Sequence, residues 1–450
     1  MNTFDVTVIG AGPGGITASL EARRMGFKTC LVEASRLGGT CLQVGCIPSK
    51  TFLHAAALIN EIKNASNWGI QNRFDGFNPE VLIQKKQNVI TLLEKGIKTQ
   101  LDKAKVTVMN GKARFVSRSE IQVGSDTVKS KYFILATGSR PRVLAELPFD
   151  GSQIISSTEA LELKRVPEKF LILGGGVIGV EFASMYCAFG SKVVMVEMLE
   201  RLIATEDPEI SKRLEVSFKK RGVEIYLGDS IVSLEKRGSR LIIKLKSGTQ
   251  LEVDQILVAI GRSRNIEDLD LETAGVRVDE GGAVEVNQFL ETTQSGIFAI
   301  GDLIRAPQLA HAASFEADVV IRNLKVKNHS IDLSLIPNAI YTHPEIASLG
   351  MTLETAKSEG YPDARESKLL LGALGRSHTE GAEEGIAKLV FDEVTGQILG
   401  AHLFGAHVTE LISEIALAIK FKLKIKDLLD IVHPHPTLSE MFQELARQVS

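Results

Sequence analysis

The chain has 450 residues, too many for one compact core, and we expect it to divide into roughly three or four units of about 100 to 150 residues. Hydrophobic residues make up 44% and charged residues 24%, close to the averages of globular proteins, which excludes a disordered or fibrous class. The formal net charge is −3 and the chain has no long Lys/Arg block, so nucleic acid is not expected as a partner.

Membrane insertion is not expected either. The sequence has no apolar run of about 18 residues or more, the length that spans a bilayer. The first predicted strand begins by Phe4, which leaves no room for a signal segment, so the chain is predicted to be soluble and cytoplasmic unless an organellar presequence has been removed. Four cysteines are too few for a disulfide scaffold, so any disulfide is expected to be catalytic.

The first predicted element is a dinucleotide-binding unit. The β-branched run Val6–Ile9 leads into a turn that carries three glycines, Gly10, Gly12 and Gly15. These glycines let the turn close, bring backbone N–H groups close to a pyrophosphate and pack the helix predicted at 16–25 against the strand. A second predicted strand, 29–33, ends in Glu33, which is placed to accept hydrogen bonds from ribose hydroxyls.

Two cysteines follow this unit, five positions apart, at Cys41 and Cys46. Zinc is the alternative to a redox pair, but a tetrahedral site needs about four ligands and the sequence has no second cysteine pair or histidine cluster nearby, so no metal is predicted. Residues 47–57 have a helical pattern, which places Cys46 at a helix N-terminus, where the dipole stabilises a thiolate. Cys30 and Cys187 are assigned to packing.

The nucleotide-binding pattern then recurs, with a strand at 170–173 followed by the glycines Gly174, Gly176 and Gly179. The interval from first glycine to strand-end acid is 23 residues in both copies, from 10 to 33 and from 174 to 197. Two bound dinucleotides are therefore predicted. Glu197 favours NAD over NADP because a carboxylate repels a 2′-phosphate; Arg201 could approach such a phosphate, but it is more simply a solvated side chain.

The segment 38–50, Gly-Gly-Thr-Cys-Leu-Gln-Val-Gly-Cys-Ile-Pro-Ser-Lys, resembles the active-site segment of the pyridine nucleotide-disulfide oxidoreductases, and above all that of their dihydrolipoamide dehydrogenase branch. The resemblance extends over essentially the whole chain. It implies that Gly138 and Gly261 end the strands that close the two nucleotide domains. It also implies that Asp302 binds the ribityl chain of FAD, and that a helix starting at Ala310 directs backbone N–H groups at the flavin.

The resemblance further implies a redox mechanism with FAD and NAD as cofactors. Cys41 would be the sulfur that the substrate attacks, and Cys46 the sulfur beside the flavin. Lys50 would pair with Glu181 close to the flavin and stabilise its reduced states. The family often carries acids where this chain has two small residues, at Ala313 and Ser314, so the flavin potential is left open.

The family's His-Pro-Thr-x-x-Glu pattern falls on His435 and Glu440. The resemblance implies that the His435 imidazole is the base and that the Glu440 carboxylate orients it. His433 competes for the same role, and the spacing to Glu440 decides against it. The resemblance also implies a homodimer in which His435 and Glu440 serve the cysteine pair of the other subunit, and lipoyl domains of 2-oxoacid dehydrogenase or glycine-cleavage complexes as partners.

The predicted fold class is α/β, with two doubly wound Rossmann-like dinucleotide-binding domains, a central domain and an α+β dimerisation domain at the C-terminus. The predicted limits are 1–147 for the FAD domain with the cysteine pair, 148–270 for the NAD domain, 271–335 for the central domain that completes the FAD site, and 336–450 for the dimer-interface domain with the acid-base histidine. Within the last of these, the sequence predicts a hairpin around Thr395-Gly396 and a helix over 409–421.

Another disulfide reductase is the main alternative to an enzyme of the dihydrolipoamide dehydrogenase branch. A glutathione-reductase-like enzyme would use NADPH and would carry a basic pair and a Tyr where this chain has Glu197 and Val177. Mercuric reductase and the large thioredoxin reductases carry an extra redox pair at the C-terminus, whereas residues 443–450 contain no cysteine. A flavoprotein retained only as a docking subunit is a second alternative, and the presence of both cysteines with His435 and Glu440 disfavours it.

Overall fold

The β-branched run at the start of the chain forms a central strand in a computed structural model that describes residues 2–449. Every residue of Val6–Ile9 is buried in a largely parallel sheet, where Val6 and Val8 belong to a hydrophobic cluster that also contains Ala18, Phe115 and Val320. Met1 and Ser450, the outer limits of the first and last predicted domains, lie outside the described residues. The first unit contains β1 (Asn2–Ile9), α1 (Pro13–Arg24), β2 (Thr29–Glu33), α2 (Gly39–Gln43), α3 (Cys46–Asn64), a 3₁₀ turn (Ala65–Trp68), α4 (Pro79–Lys103), β3 (Thr107–Asn110), β4 (Ala113–Ser117), β5 (Glu120–Val123), β6 (Asp126–Leu135) and β7 (Ser139–Pro141).

The first sheet has the order β3-β2-β1-β6-β5-β4, and β1 pairs in parallel with both β2 and β6. The strand that ends in Glu33 was predicted with the bounds the structure gives it. The helix of the cysteine segment begins at Cys46, as predicted, and continues to Asn64, beyond the predicted end at residue 57. The local pattern therefore located the start of this helix well, and packing extends its end.

The second unit repeats the arrangement in a parallel sheet of order β11-β10-β9-β15-β8, beside a three-stranded antiparallel sheet, β12-β13-β14. Its elements are β8 (Ile154–Ile155), α5 (Ser157–Ala160), β9 (Lys169–Leu173), α6 (Val177–Phe189), β10 (Lys192–Glu197), α7 (Pro208–Lys220), β11 (Glu224–Leu227), β12 (Ile231–Arg237), β13 (Arg240–Leu245), β14 (Gln250–Val253), β15 (Gln255–Val258) and β16 (Arg262–Arg264).

The segment after the second unit returns to the first one. It contains α8 (Leu271–Ala274), β17 (Ile297–Ala299), two 3₁₀ turns (Gly301–Leu303 and Leu333–Leu335) and α9 (Ala310–Asn323). Strand β17 pairs in parallel with β6, so a strand from the predicted central domain becomes part of the first sheet. Strand β16 pairs with β7 and forms a second link between the units.

The last unit is an antiparallel sheet of order β18-β19-β22-β21-β20 with helices packed on it. Its elements are β18 (Asn338–Ile340), β19 (Glu345–Gly350), α10 (Leu353–Ser358), β20 (Ala364–Leu370), a 3₁₀ turn (Leu371–Ala373), α11 (Gly375–Glu380), β21 (Ile386–Asp392), β22 (Ile398–Gly405), α12 (Val408–Lys420), a 3₁₀ turn (Ile425–Leu429) and α13 (Glu440–Arg447). The predicted hairpin is confirmed as β21–β22, and the predicted helix as α12.

One hydrophobic cluster joins three of these units. It contains Phe52 of α3, Phe182 of α6, Ile340 of β18 and Phe404 of β22, each at most 4% exposed. The helix that begins at Cys46 is therefore held between the second unit and the last one. Within residues 2–449, no helix is both long and apolar enough to cross a membrane. The four domain limits stay a prediction.

Candidate active site

The two glycine turns have nearly the same geometry. Their first glycines have positive φ, +105° at Gly10 and +114° at Gly174, and a Cβ at either one would lie 2.3 Å from a carbonyl oxygen of the neighbouring strand end. A Cβ on the third glycines would lie 1.8 Å from the Gly10 oxygen at Gly15, and 2.0 Å from the Gly174 oxygen at Gly179. The chain thus closes on itself at both positions and leaves no room for a side chain.

The middle glycines face open space instead. Chain neighbours aside, no atom of residues 2–449 would lie within 4 Å of a Cβ on Gly12 or Gly176. Helices α1 and α6 begin at the next residue, so their free N–H groups are directed toward that space. Both turns therefore fit a pyrophosphate. In each turn the fit depends on the middle glycine, because a side chain at that position would occupy the open space.

The strand-end acids contact the turns in the same way. Glu33 accepts a hydrogen bond from the Ala11 N–H at 2.7 Å, and Glu197 accepts one from the Gly175 N–H at 2.5 Å. Each carboxylate therefore ties its turn to the second strand and keeps unused lone pairs for a ribose hydroxyl. Arg201 donates to the carbonyl of Ala204 at 2.7 Å, so it is engaged locally rather than freely solvated.

The cysteine pair lies at the junction of α2 and α3. Cys41 and Cys46 are both free thiols and half-buried, and Cys46 is the first residue of α3. A hydrogen bond from Cys41, helped by the Lys50 ammonium, lowers the pKa of the Cys46 thiol to about 7, although burial opposes this. The same hydrogen bond, together with burial, raises the pKa of Cys41. The two sulfurs are therefore unequal, and Cys46 is the one that ionises.

Lys50 and Glu181 form the predicted pair across α3 and α6. The Lys50 Nζ lies 2.9 Å from each carboxylate oxygen of Glu181, whose side chain is only 6% exposed. A third member of this cluster was not predicted from the sequence: the Tyr341 N–H also donates to Glu181, at 3.0 Å. No local pattern marks Tyr341, which comes from the last unit and reaches α6 only in the folded chain.

Asp302 follows β17 and lies beside two residues that the sequence analysis did not assign to the site. The Ser139 hydroxyl donates to the Asp302 carboxylate, and the Arg262 Nε lies 3.7 Å from the same oxygen. Arg262 also donates to the Ser139 hydroxyl at 2.6 Å. The β7–β16 ladder brings Ser139 and Arg262 together, directly after Gly138 and Gly261, both of which have positive φ.

Helix α9 begins at Ala310, as the resemblance implies. Farther along it, the Glu316 side chain is fully buried, and one of its oxygens accepts a hydrogen bond from the Gly301 N–H. Its other oxygen has no hydrogen-bond partner among residues 2–449. Burial, with a smaller contribution from Asp302, raises the pKa of Glu316 to about 7. A carboxyl group that can be neutral near physiological pH thus lies behind the predicted flavin site.

The two C-terminal histidines have different carboxylate partners. His435 Nδ1 lies 2.9 Å from Glu440, and the imidazole is 78% exposed. His433 Nε2 lies 3.0 Å from Glu414, and that ring is only 5% exposed. The Thr437 N–H, followed by His435, lowers the pKa of Glu440, which keeps it ionised as the partner of His435. Only His435 combines an oriented ring with access to a substrate.

The structure does not bring all the predicted catalytic residues together within one chain. Among the hydrogen bonds and ion pairs of residues 2–449, none joins His435 or Glu440 to the cysteine pair. Lys50, Glu181 and both cysteines do form one cluster. The acid-base pair lies on the last unit, in the segment that leads into α13.

Family models and relatives match nearly the whole chain. Residues 4–317 match the model described as pyridine nucleotide-disulphide oxidoreductase, and residues 336–446 match the dimerisation domain of the same family. The dihydrolipoyl dehydrogenase of Chlamydia muridarum is 38% identical over 448 residues, 98% of this chain and 96% of the relative. The dihydrolipoyl dehydrogenase of Thermus scotoductus is 39% identical over 456 residues, 99% of this chain and 97% of the relative.

Solved structures show the same architecture. The HOCl-induced flavoprotein disulfide reductase RclA of Escherichia coli superposes with a TM-score of 0.90 at 28% identity, over 100% of both chains. LpdA of Mycobacterium tuberculosis superposes with a TM-score of 0.93 at 24% identity, also over 100% of both chains, and supports the fold alone. The predicted α/β fold class is confirmed. This chain belongs to the pyridine nucleotide-disulphide oxidoreductase family.

Proposed function

We propose that the protein is a dihydrolipoyl dehydrogenase, which oxidises dihydrolipoamide to lipoamide and transfers the electrons to NAD through FAD. We rest the proposal on the cysteine pair at the start of α3, held beside the Lys50–Glu181 pair in a chain that has two dinucleotide turns. The names of the curated relatives that match this chain over almost its full length support the same activity.

The first turn is assigned to FAD and the second to NAD. FAD would be held by Gly10, Gly12, Gly15 and Glu33, by Asp302 on its ribityl chain, and by the N-terminus of α9 at Ala310. NAD would be held by Gly174, Gly176, Gly179 and Glu197, whose charge disfavours a 2′-phosphate. When bound, FAD accepts an electron pair from the reduced cysteines and passes a hydride to NAD.

The remaining steps belong to side chains of the protein. His435, oriented by Glu440, removes a proton from one thiol of dihydrolipoamide, and the resulting thiolate attacks Cys41 of the oxidised pair. The Cys41–Cys46 bond breaks and Cys46 leaves as a thiolate, the form favoured by its lowered pKa. The second substrate thiol then attacks the mixed disulfide, which releases lipoamide and leaves both cysteines reduced. One dithiol is oxidised and one disulfide is reduced.

The protein forms homodimers through its dimerisation domain. We infer that each active site combines the cysteine pair of one subunit with His435 and Glu440 of the partner subunit. Support comes from the position of the acid-base pair on the matched dimerisation domain, without a hydrogen bond or ion pair to the cysteines among the described residues of its own chain. The exposure of the His435 ring leaves it free to reach another subunit.

Lipoyl domains of 2-oxoacid dehydrogenase or glycine-cleavage complexes are the proposed protein partners, and the cytoplasm is the proposed location. A substrate panel tests the proposed function. Dihydrolipoamide with NAD should react far faster than glutathione disulfide with NADPH or mercuric ion with NADPH, assayed side by side with one preparation. A preference for either NADPH pair would replace the proposal with the corresponding reductase.

A further inference from the structure

A short segment of the dimerisation domain binds back onto α6. The Tyr341 N–H donates to Glu181 Oε1 at 3.0 Å, and the His343 N–H donates to the Ser184 hydroxyl at 3.1 Å. Glu181 and Ser184 are three residues apart and therefore lie on the same face of the helix. Two backbone N–H groups from the segment after β18 thus form hydrogen bonds to one face of α6.

The side chain of Tyr341 contacts the other partner of Glu181. The Lys50 Nζ lies 4.5 Å from the centroid of the Tyr341 ring, within the range of a cation–aromatic attraction. The same ammonium donates to both oxygens of Glu181. The position of this ammonium group is therefore fixed by α3, which carries Lys50, by a carboxylate from α6 and by an aromatic ring from the dimerisation domain.

The backbone at Tyr341 is held in place by the buried residues on either side of it. Ile340, the residue before Tyr341, is 1% exposed and belongs to the hydrophobic cluster that contains Phe52 of α3 and Phe182 of α6. The same cluster includes Ile346 on the next strand. Because the residues on both sides of the segment are packed in the core with α3 and α6, the backbone of Tyr341 cannot move away from Lys50 without disrupting that core.

Lys50 is four residues after Cys46 on α3, so the two side chains are neighbours on one face. The charged and titratable groups that act on the Cys46 sulfur are Cys41 from α2, Lys50 from α3, Glu181 from α6 and Arg262 from β16. Lys50 lowers the pKa of Cys46 and Glu181 raises it, so the position of the ammonium between thiol and carboxylate matters.

We propose that Tyr341 is a positioning residue, whose ring and backbone N–H hold the Lys50–Glu181 pair in the orientation that stabilises the Cys46 thiolate. Tyr341 thereby couples the dimerisation domain to the redox site of the same chain. The inference rests on the proposed function only in taking Cys46 as the working thiolate.

The test is the pH profile of Cys46 alkylation. Reduced holoprotein is treated anaerobically with iodoacetamide across pH 5–10, and labelling of Cys46 and Cys41 is quantified separately by peptide mass spectrometry. In Tyr341→Leu the Cys46 midpoint should rise by about half a pH unit, the size expected for loss of a partly exposed cation–aromatic contact. In Tyr341→Phe, which keeps the ring, the Cys46 midpoint should equal that of the unmodified protein.

Phe74→Leu is the matched control, because it removes the ring that lies 5.6 Å from the ammonium of Lys63, which is 17 residues after Cys46 on α3. Its Cys46 midpoint should not move. If Tyr341→Leu fails to fold, position 341 is filled with phenylalanine, trifluorophenylalanine and pentafluorophenylalanine. These rings have nearly the same shape and a progressively weaker attraction for a cation. The midpoint should then rise in that order.

The outcomes separate the inference from the function on which it rests. A low Cys46 midpoint that is the same in the unmodified protein, in Tyr341→Leu and across the fluorinated series would overturn the positioning role and leave the proposed function intact. An ordinary thiol midpoint near 8.5 in the unmodified protein would overturn the proposed role of Cys46, and the inference with it.

Discussion

The two nucleotide units share a turn and differ in the segment that comes after the second strand. Both have a first glycine with positive φ, an open middle glycine and a strand-end acid that accepts a hydrogen bond from the turn. After its acid, however, the first unit continues into α2 and α3, which carry Cys41 and Cys46, whereas the second continues into α7. The two turns are therefore alike, and the redox chemistry that we propose depends on the segment after the second strand of the first unit.

The largest expected effect comes from replacing the middle glycine of either turn with valine. Gly12 and Gly176 have ordinary negative φ and open space around them, so Gly12→Val and Gly176→Val should fold. The added side chain would occupy the proposed pyrophosphate position and weaken binding by about a hundredfold or more. Gly12→Val should be purified without flavin, and Gly176→Val should retain flavin but require far more NAD.

Gly96→Val on the exposed face of α4 is the matched control, because its Cβ would also meet no described atom within 4 Å beyond the backbone of its own helix. It should keep flavin, and its KM for NAD should not change. Loss of flavin in Gly176→Val, with normal flavin in Gly12→Val, would reverse our assignment of the two units.

The second prediction concerns the proposed dependence of the cysteine pair in one subunit on His435 of the partner subunit. Cys46→Ser and His435→Ala homodimers should both be nearly inactive on dihydrolipoamide. In a heterodimer one site carries both lesions and the other carries none. Random reassembly gives about half heterodimers with one working site in two, so roughly a quarter of the unmodified activity should return.

The control is a mixture of Cys46→Ser with Cys41→Ser subunits, which lie in the same half of the proposed site. Every heterodimer site then carries one lesion, so no activity should return. Activity that stays at the homodimer level in the first mixture, with heterodimers demonstrated by native mass spectrometry, would place the base and the cysteines in the same chain.

The third prediction concerns the two strand-end acids, Glu33 and Glu197, which we expect to affect the binding of different cofactors. Glu197→Arg should lower kcat/KM for NAD and raise it for NADP, with a combined change in transition-state free energy of about 2–4 kcal/mol, because a charge-assisted contact replaces a repulsion. Glu33→Arg should weaken flavin retention and leave the NAD preference unchanged. Glu197→Gln is the control for the lost contact to Gly175, since its amide oxygen can still accept that hydrogen bond. An unchanged NAD preference in Glu197→Arg would mean that specificity is determined elsewhere.

The smallest expected effect is spectroscopic. Cys41→Ser removes the sulfur proposed to react with substrate and leaves Cys46 as a free thiolate beside oxidised flavin. The variant should show a long-wavelength absorbance shoulder without any reductant. Because a thiolate is the deprotonated form, the shoulder should fade as the pH falls through the pKa of Cys46, which Lys50 still lowers in this variant although the hydrogen bond from the Cys41 thiol is gone. Cys187→Ser should show no shoulder, and a flavin-loaded Cys41→Ser without one would show that Cys46 is not the flavin-proximal sulfur.

Much of the candidate site could be predicted from short stretches of sequence. The glycine turns, the strands that enter them and the helix that begins at Cys46 all depend on residues within about ten positions of one another. Five residues separate His435 from Glu440, but their pairing was predicted through the resemblance to a family. The Lys50–Glu181 pair also came from that resemblance, and its members are 131 residues apart in the sequence.

The sequence by itself determined where the chain turns, which strand ends carry acids and which cysteine begins a helix, because backbone geometry and helix dipoles act over a few residues. Only the tertiary structure decided that β17 joins the first sheet, that Arg262 meets Ser139, that His433 pairs with Glu414 and that Tyr341 covers Lys50. These contacts depend on how separately folded units pack, and packing is set by the shape and burial of many side chains at once, which no single stretch of sequence specifies.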